Sequence, residues 1–329
     1  MVDIKKKITV CQKKFCQKRI LVIGDIMVDE YIMGKVSRIS PEAPIPILDF
    51  KEIRRVAGGA SNVANNLNSL GCKVKMCGVV GQDQEGEWLK GYLKKNGIDI
   101  DGVVTEKNRP TTLKQRYATK SQQLLRVDCE LSSDILSETK ENILIYLSKF
   151  IMEIDAIILS DYTKGLFKDV AFVRKIIKIA NDYNVLIGID SKSREISAFE
   201  NATFVKPNNL ELEKAIDIKI IDEKSLNAAG EKYLEISKAK ALIVTRGAQG
   251  ISLFQPGKTR RDFSSKALQV YDVTGAGDTV ISVITLALSC GMEYDEAVVL
   301  ANYAASVVIE RVGTASITSE ELVDRINEE

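Results

Sequence analysis

The sequence predicts an α/β fold with a central, mostly parallel β-sheet flanked by helices and a small second β-sheet. Short β-branched runs alternate with helical patterns along most of the chain, which is typical of β-α-β units around a parallel sheet. Two other segments interrupt this alternation and resemble strands that lie outside the main sheet. The 329 residues, of which 45% are hydrophobic, are enough for a large core.

Strands of the main sheet are predicted at five β-branched runs, RILVIGDIMV, AIILSD, VLIGID, TFVKP and ALIVTRG. A helix is predicted from about Gly59 to Gly71, because apolar residues recur there at intervals of three and four. Near the other end of the chain, a strand over Leu268 to Tyr271 is expected to precede a helix from about Gly275 to Cys290. We expect a single domain over residues 1–329.

The small sheet is predicted from two segments of unusual composition. Tyr31 to Arg55 contains three of the six prolines, and Val103 to Asp128 is rich in Thr, Gln, Tyr and Val without helical periodicity. Ligands of open α/β folds bind at the carboxyl ends of the strands, so a sheet formed by residues 31–57 and 102–129 is placed to act as a lid there. Ordinary surface loops are the alternative.

Charge and composition exclude several classes of function. The 46 Lys and Arg residues nearly balance the 45 Asp and Glu residues, so neither a nucleic-acid nor a membrane partner is expected. The longest apolar run is shorter than the roughly 20 residues that cross a bilayer, and we expect a cytoplasmic protein. Histidine is absent and no cysteines form a CxxC pair, which excludes the usual zinc sites and histidine-dependent nucleophiles.

The string DVTGAGDTV at residues 272–280 carries the clearest chemical signal. The backbone of Gly275, Ala276 and Gly277 would begin a helix with free amide groups, which form an anion site. Asp278 in the first turn is placed to accept a proton from an attacking hydroxyl, which indicates phosphoryl transfer. The alternative is a glycine-rich helix start in which Asp278 only stabilises the helix dipole. Neither a P-loop nor a dinucleotide-binding glycine motif is present.

Two motifs together resemble those of the PfkB family of carbohydrate kinases. DVTGAGD resembles the family's DTxGAGD signature, and GGASNVANNL at residues 58–67 resembles its GGxxxNxA signature. PNNLE at 207–211 is similar to the family's NxxE motif, VTRGAQG at 244–250 is similar to its TxG segment, and the similarity runs from Arg19 to about Ala315. The resemblance implies a ribokinase-like fold and an ATP-dependent sugar kinase that uses Mg²⁺.

The resemblance also implies roles for individual residues. Asp278 corresponds to the catalytic base, and the backbone of 275–277 corresponds to the anion hole. Asn208 and Glu211 correspond to the pair that organises Mg²⁺ through water, although a turn followed by a helix cap is the alternative for this motif. A monovalent cation, K⁺, is implied near the carbonyls of Asp272 and Thr274. The implied nucleotide residues are Thr245, Gly247 and Asn302, and the implied sugar residues are Asp25, Asp29, Gly58, Gly59 and Asn62.

Three further strings are similar to the heptose-phosphate kinases within this family: SRISPEAPIPIL at 37–48, QQLLRVDCE at 122–130 and SDYTKGL at 160–166. The implied reaction phosphorylates the anomeric hydroxyl of D-glycero-β-D-manno-heptose 7-phosphate on the route to ADP-heptose. Arg38, Arg126 and Lys164 are implied to converge on the 7-phosphate, and Lys192 on either phosphate. For each of these cations, an ordinary surface charge is the alternative.

Many members of that subfamily carry a C-terminal nucleotidyltransferase domain with an HxGH signature. The present sequence has no histidine, so we expect a kinase domain without that second activity. A homodimer that pairs through the lids is also implied by the resemblance. Three alternatives stay open: a kinase for fructose phosphate, tagatose phosphate or ribose, a non-catalytic sugar or nucleotide sensor, and a nucleotide-cofactor oxidoreductase.

Overall fold

Two β-sheets and the helices around the larger one make up the computed structural model, which describes residues 7, 11–120, 122–267, 271–311, 313 and 315–328. The expected strand over Leu268 to Tyr271 lies almost entirely outside the described residues. Among the helices that the structure describes, none is long and apolar enough to cross a membrane.

The larger sheet contains nine strands of the described residues, in the order β13-β12-β11-β10-β9-β8-β1-β4-β5. Pairing is parallel from β5 to β11 and antiparallel at β12 and β13. The carboxyl ends of the parallel strands therefore meet at one edge. The strands are β1 (Arg19–Gly24), β4 (Lys73–Gly81), β5 (Asp99–Glu106), β8 (Ala156–Asp161), β9 (Leu186–Ser191), β10 (Phe204–Val205), β11 (Leu242–Thr245), β12 (Ile251–Phe254) and β13 (Arg261–Phe263).

Helices cover both faces of this sheet. In β1, Ile20 and Val22 face one apolar cluster while Leu21 and Ile23 face the other, which explains why this strand reads as a continuous apolar run. Helices α1, α2, α7, α8 and α9 lie on the first face, and α3 to α6 lie on the second. The helices are α1 (Ala60–Ser69), α2 (Gln84–Lys95), α3 (Ser137–Phe150), α4 (Val170–Asp182), α5 (Asn209–Ile216), α6 (Glu223–Ser237), α7 (Ala276–Ser289), α8 (Tyr294–Val308) and α9 (Ser319–Asn327).

The smaller sheet, called the small sheet below, has the order β3-β2-β6-β7. Its strands are β2 (Ile26–Ile39), β3 (Pro46–Gly59), β6 (Thr112–Ala118) and β7 (Gln123–Cys129). Strand β2 follows β1 after one residue, and β3 ends where α1 begins. The small sheet is thus attached directly to the centre of the main sheet.

The predicted bounds of the lid need two corrections. Residues 102–106 belong to β5, which pairs with β4 at the edge of the main sheet. The β-branched residues Val103, Val104 and Thr105 suit an edge strand of either sheet, so composition did not distinguish the two. At the other end, β2 starts at Ile26 rather than Tyr31, because Met27 and Val28 are buried as the chain leaves the main sheet.

The predictions of strands at the five β-branched runs are confirmed, except that the end of the first run, from Ile26, begins β2 of the small sheet. The two helices that begin near Gly59 and Gly275 are also confirmed. Both glycines have positive φ, 57° and 83°, in the left-handed half of the backbone map that side chains disfavour. Each therefore permits the sharp change of direction from strand or loop into helix. The amino ends of α1 and α7 both lie at the edge where the parallel strands end.

Candidate active site

A cavity of about 1060 Å³ lies at the carboxyl ends of the parallel strands. Its volume exceeds the roughly 300–1,000 Å³ of pockets that hold one small ligand, so it can accommodate two. The ends of β8, β9 and β11 contribute Asp161, Asp190 and Thr245, and Lys206 directly follows β10. The start of α7 and strands β2, β6 and β7 of the small sheet complete the wall. Ligands of open α/β folds bind at this edge.

Asp278 is held rigidly in the first turn of α7. Its side chain is buried, and the residue is only 5% exposed. Nδ2 of Asn62 donates a hydrogen bond of 2.8 Å to its Oδ2, and the hydroxyl of Tyr162 donates one of 2.7 Å to its Oδ1. Two donors on different oxygens fix the plane of the carboxylate within the cavity wall.

The surroundings of Asp278 tune its acidity. Burial is the main cause that raises the pKa of this carboxyl, to about 6, and the neighbouring carboxylate of Asp190 adds to the rise. The hydrogen bonds from Asn62 and Tyr162 and the ammonium of Lys206 oppose it. Asp278 is therefore ionised at neutral pH, yet more basic than an exposed carboxylate, as a general base requires.

The amides at the start of α7 only partly match the predicted anion hole. The amide of Ala276 already donates to the carbonyl of Val273 at 3.2 Å. Within the described part of the chain, the amides of Gly275, Gly277 and Asp278 have no backbone acceptor. A side chain at Gly277 would also approach Nζ of Lys206, because a Cβ there would lie 3.3 Å from it. Amides without a backbone acceptor thus lie beside an ammonium group.

Lys206 and Asp190 form a buried ion pair that sequence reasoning missed. Nζ of Lys206 lies 3.0 Å from the carboxylate of Asp190, and the lysine side chain is 3% exposed. Burial acts to lower the pKa of Lys206, but Asp190 and Glu211 outweigh it and raise that pKa, so the ammonium is retained. Their positions in the sequence could have indicated them. Lys206, Asp190 and Tyr162 each stand at the end of a β-branched run, where ligand-binding residues of open α/β folds lie.

Asn208 and Glu211 line the cavity and also cap α5. Oδ1 of Asn208 accepts from the amide of Glu211 at 2.9 Å, and Oε2 of Glu211 accepts from the amide of Asn208 at 2.8 Å. Burial raises the pKa of Glu211, although Lys206 opposes the shift. The helix-cap alternative is therefore present in the structure, and it leaves the second carboxylate oxygen of Glu211 without a role in the cap.

The remaining residues predicted for the nucleotide also line the cavity. The amide of Thr245 donates to the carbonyl of Pro207, and Gly247 has a φ of 57°. Nδ2 of Asn302 donates to the carbonyl of Ser264 at 2.9 Å, which ties α8 to the segment after β13. Nζ of Lys192 lies 4.0 Å from the centre of the Tyr162 ring, as expected of a cation-π contact.

Asp29 of β2 and Gly59 of β3 line the cavity on the side of the small sheet, and Gly58 lies beside Asp29. Asp29 is ion-paired with Arg116, and both residues line the cavity. Gly58 packs against that carboxylate, because a Cβ at this position would lie 2.0 Å from Oδ2 of Asp29. Gly59 lines the cavity itself and precedes the first residue of α1.

Four cations, called the basic cluster below, line the cavity between the small sheet and the loop after β8. Lys164 pairs with Glu130 at 2.7 Å, and Arg126 pairs with Asp128 at 2.9 Å. Of the two further members, Lys114 contacts both of these acids, while Arg116 contacts Asp29. Sequence reasoning found only half of this set. The members are Lys114, Arg116, Arg126 and Lys164.

Five residues predicted to bind ligands lie off the cavity wall: Asp25, Arg38, Gly58, Asn62 and Asp272. The side chain of Arg38 is 68% exposed and is 4.0 Å from Asp49, far along β2. Oδ2 of Asp25 accepts from the amides of Tyr162 and Lys164, so Asp25 holds the loop after β8 from behind. Asp272 accepts from Thr274 and from the amide of Gly313, and it closes the loop before α7. Among the predicted cation-site residues, Thr274 does reach the wall.

Comparison with known proteins places the chain in a family. The sequence profile of the pfkB family carbohydrate kinases matches residues 17–321. The chain belongs to this family. It is therefore a phosphotransferase that acts on sugars, and its kinase fold implies ATP as the phosphoryl donor.

Curated relatives of this family member include the bifunctional protein HldE from two sources. The protein from Desulfatibacillum aliphaticivorans is 39% identical over 315 residues, which are 96% of this chain and 64% of that protein. The protein from Helicobacter pylori strain G27 is 42% identical over 311 residues, which are 94% and 67%. The chain thus spans about two thirds of the length of these relatives.

Solved structures confirm the ribokinase-like fold of this family member. Arabidopsis thaliana ribokinase complexed with ribose and ATP superposes with a TM-score of 0.75 at 18% identity, covering 94% of this chain and 98% of that one. Escherichia coli phosphofructokinase-2 in complex with potassium gives a TM-score of 0.75 at 19% identity with the same coverage. At these identities the likeness concerns the fold.

Proposed function

We propose that this pfkB family member transfers the γ-phosphoryl group of ATP to the anomeric 1-hydroxyl of D-glycero-β-D-manno-heptose 7-phosphate, giving the 1,7-bisphosphate. The observation that carries the proposal is the buried, doubly hydrogen-bonded carboxylate of Asp278 beside free helix amides. The similarity to HldE proteins and the motifs near residues 37–48 and 160–166 favour a heptose phosphate as the sugar. Because ATP is the donor, we place the reaction in the cytoplasm.

In the proposed reaction, the oxygen of the sugar's 1-hydroxyl attacks the γ-phosphorus of ATP while Asp278 accepts the proton of that hydroxyl. The bond from that phosphorus to the bridging oxygen breaks, and ADP leaves. The carboxylate is ionised at neutral pH and lies in the cavity wall, as proton acceptance requires. The free amides of Gly277 and Asp278 and the ammonium of Lys206 would stabilise the charge on the transferred group.

The cavity also fits the cations that such kinases use. Among the described residues no three acidic or sulfur-bearing side chains cluster closely enough to hold a metal by themselves. Glu211 and Asn208, whose side chains carry oxygen atoms and which both line the cavity, would hold Mg²⁺ through water, and the ion would neutralise phosphate charge, since Mg²⁺ retains several waters beside nucleotides. The carboxylate of Asp272 already accepts three hydrogen bonds. We therefore propose that K⁺ binds backbone carbonyl groups near Asp272 and Thr274 rather than this carboxylate.

We propose that the 7-phosphate of the sugar binds at the basic cluster. Lys164 and Arg126 line the cavity on the side of the small sheet, opposite the nucleotide residues. Their present partners, Glu130 and Asp128, would lose these contacts to a dianionic phosphate, for which Arg offers paired donors. Lys192 also lines the cavity, over the ring of Tyr162, and would serve either phosphate.

We also propose that two copies pair through their small sheets. Both β3 and β7 are edge strands, and an unpaired edge is a surface on which another chain can add. Large apolar side chains are exposed on these strands, among them Phe50, Ile53 and Leu125. Sedimentation of the protein and of Phe50→Glu tests this proposal, with a dimer expected for the first and a monomer for the second.

The test of the proposed reaction is ADP release from ATP and Mg²⁺ with a panel of sugars, using Asp278→Asn as the control. The panel contains heptose 7-phosphate, fructose 6-phosphate, fructose 1-phosphate, tagatose 6-phosphate and ribose. Highest kcat/KM with the heptose phosphate supports the proposal, and phosphorus NMR of the product identifies the phosphorylated hydroxyl. Preference for another sugar would keep the kinase activity but assign a different substrate. Absence of turnover with every sugar would favour a non-catalytic sugar or nucleotide sensor.

A further inference from the structure

Tyr162 contacts the proposed base directly, although it was not among the predicted site residues. Its hydroxyl donates to Oδ1 of Asp278 at 2.7 Å, and its ring lines the cavity. Burial and the carboxylates of Asp278 and Asp190 raise the pKa of Tyr162 well above its ordinary value. The phenol therefore stays neutral at any pH at which the protein would act, and it remains a hydrogen-bond donor.

The loop after β8 fixes the position of this phenol. Oδ2 of Asp25, a buried carboxylate, accepts from the amides of Tyr162 and Lys164, each at 2.9 Å. Between them Thr163 has a φ of 58°, and its amide donates to Oδ1 of Asp161 at 2.7 Å. The ammonium of Lys192 lies over the tyrosine ring. Backbone and ring are thus both restrained, so the hydroxyl is presented to Asp278 in one orientation.

We propose that Tyr162 is a positioning residue for the phosphoryl transfer, which orients the carboxylate of Asp278 and keeps it ionised. This inference rests on the proposed role of Asp278 as the base. Asn62 occupies one lone pair of Oδ2 and Tyr162 occupies one lone pair of Oδ1, so each oxygen keeps a lone pair that can accept from the hydroxyl of the sugar. Without Tyr162, only the hydrogen bond from Asn62 would remain, and a single hydrogen bond would not prevent rotation of the carboxylate.

The charges around Asp278 make the hydroxyl of Tyr162 important for keeping this carboxylate ionised. Asp190 disfavours the ionised carboxylate and Lys206 favours it, and these two groups are already paired with each other at 3.0 Å. The neutral donors Asn62 and Tyr162 are the other groups that stabilise the anion against burial. Removing the hydroxyl should therefore raise the pKa of Asp278 and move the acidic limb of the rate profile to higher pH.

The test compares the pH dependence of kcat/KM for the protein and for Tyr162→Phe, which retains the ring. We expect the acidic midpoint to rise by about one pH unit, as the loss of a hydrogen bond to a charged group predicts. At mildly acidic pH kcat should fall about tenfold and recover only in part at alkaline pH, where the remaining deficit reflects the lost orientation of the carboxylate, while KM for ATP stays unchanged. Ionisation of the substrates is common to both proteins, so the difference between them reports on Asp278.

The matched control is Tyr294→Phe, which removes a hydroxyl that donates to the carbonyl of Thr203 at 2.8 Å, away from the cavity wall. Its pH profile should match that of the unmodified protein. A second measurement replaces Tyr162 by 3-fluorotyrosine, a stronger donor, and the midpoint should then move to lower pH. This replacement retains the hydrogen bond and so tests the idea even if Tyr162→Phe does not fold.

An unchanged midpoint for Tyr162→Phe, or for 3-fluorotyrosine where the phenylalanine variant does not fold, would overturn the inference. Asp278→Asn separates this failure from failure of the proposed function. If Asp278→Asn is inactive while the midpoint at Tyr162→Phe is unchanged, the base assignment stands and only the role of Tyr162 is lost. If Asp278→Asn retains activity, the assignment of the base fails and the role of Tyr162 fails with it.

Discussion

Asn62 and Asp278 are joined by a hydrogen bond of 2.8 Å although 216 residues separate them in the sequence. Asn62 belongs to the first turn of α1, which follows the small sheet, and Asp278 belongs to the first turn of α7. The two helices begin at the same edge of the main sheet, so their polar first turns meet. This contact unites the two family signatures in one site.

Replacing Asp278 by Asn should abolish most of the activity without unfolding the protein. Loss of a general base lowers kcat by about 10²–10⁴-fold. The pKa of Asp278 is raised above its ordinary value, so its stabilising contribution is complete below pH about 4 and is lost as pH rises through about 6. The neutral Asn removes this loss, and the variant should gain on the order of 2 kcal/mol relative to the unmodified protein at alkaline pH.

Steady-state kinetics and thermal unfolding at acidic and alkaline pH would check both parts of that prediction. A difference in unfolding free energy that does not depend on pH would contradict the raised pKa. Activity close to that of the unmodified protein would contradict the role as base.

Replacing Lys206 by Met should impair both stability and catalysis, for separable reasons. The carboxylate of Asp190 would lose its ammonium partner, and breaking a buried ion pair costs about 3–5 kcal/mol. Loss of a charge beside the anion site should lower kcat by about 10²-fold or more. The double variant Lys206→Met with Asp190→Asn removes the unpaired charge, and we expect it to recover stability but not kcat. Recovery of both quantities would indicate that Lys206 is only structural.

Replacing Gly58 by Ala should disturb the sugar side of the cavity. The added Cβ would lie 2.0 Å from Oδ2 of Asp29, which cannot easily withdraw because Arg116 holds it. We expect a loss of about 1–3 kcal/mol in the free energy of unfolding, together with a higher KM for the sugar phosphate. The control is Gly91→Ala in α2, where a Cβ meets nothing within 4 Å, and which should be neutral or slightly stabilising. Equal effects at both positions would argue against a specific contact at Gly58.

Replacing Lys164 by Ala should raise KM for heptose 7-phosphate by about 10-fold or more, because a charge-assisted contact to the phosphate is lost. The matched variant Arg38→Ala should change KM by less than about twofold, since its side chain is exposed and remote from the cavity wall. The unphosphorylated heptose distinguishes a phosphate contact from general damage, because its KM should not respond to Lys164→Ala. A larger effect at Arg38 would mean that the small sheet moves this residue to the ligand.

Much of the main sheet was predictable because each strand is a short apolar run with its own boundaries. Edge strand β5 was not, since Val103 and Val104 lie between Gly102 and Thr105, a composition that suits a strand of either sheet. The small sheet was predicted from prolines and missing periodicity, but its junction with β1 was not, because burial of Met27 and Val28 depends on the main sheet beside them.

The sequence by itself determined the α/β class, the glycine-rich helix starts and the location of Asp278, because each is encoded by neighbouring residues. Only the tertiary structure decided which side chains meet Asp278. Tyr162, Asp190 and Lys206 follow three different strands, and their proximity depends on the strand order, which no local pattern encodes. The same holds for Arg38, which the resemblance grouped with the cavity residues Arg126 and Lys164 yet which is exposed, since the length of β2 carries it beyond the site.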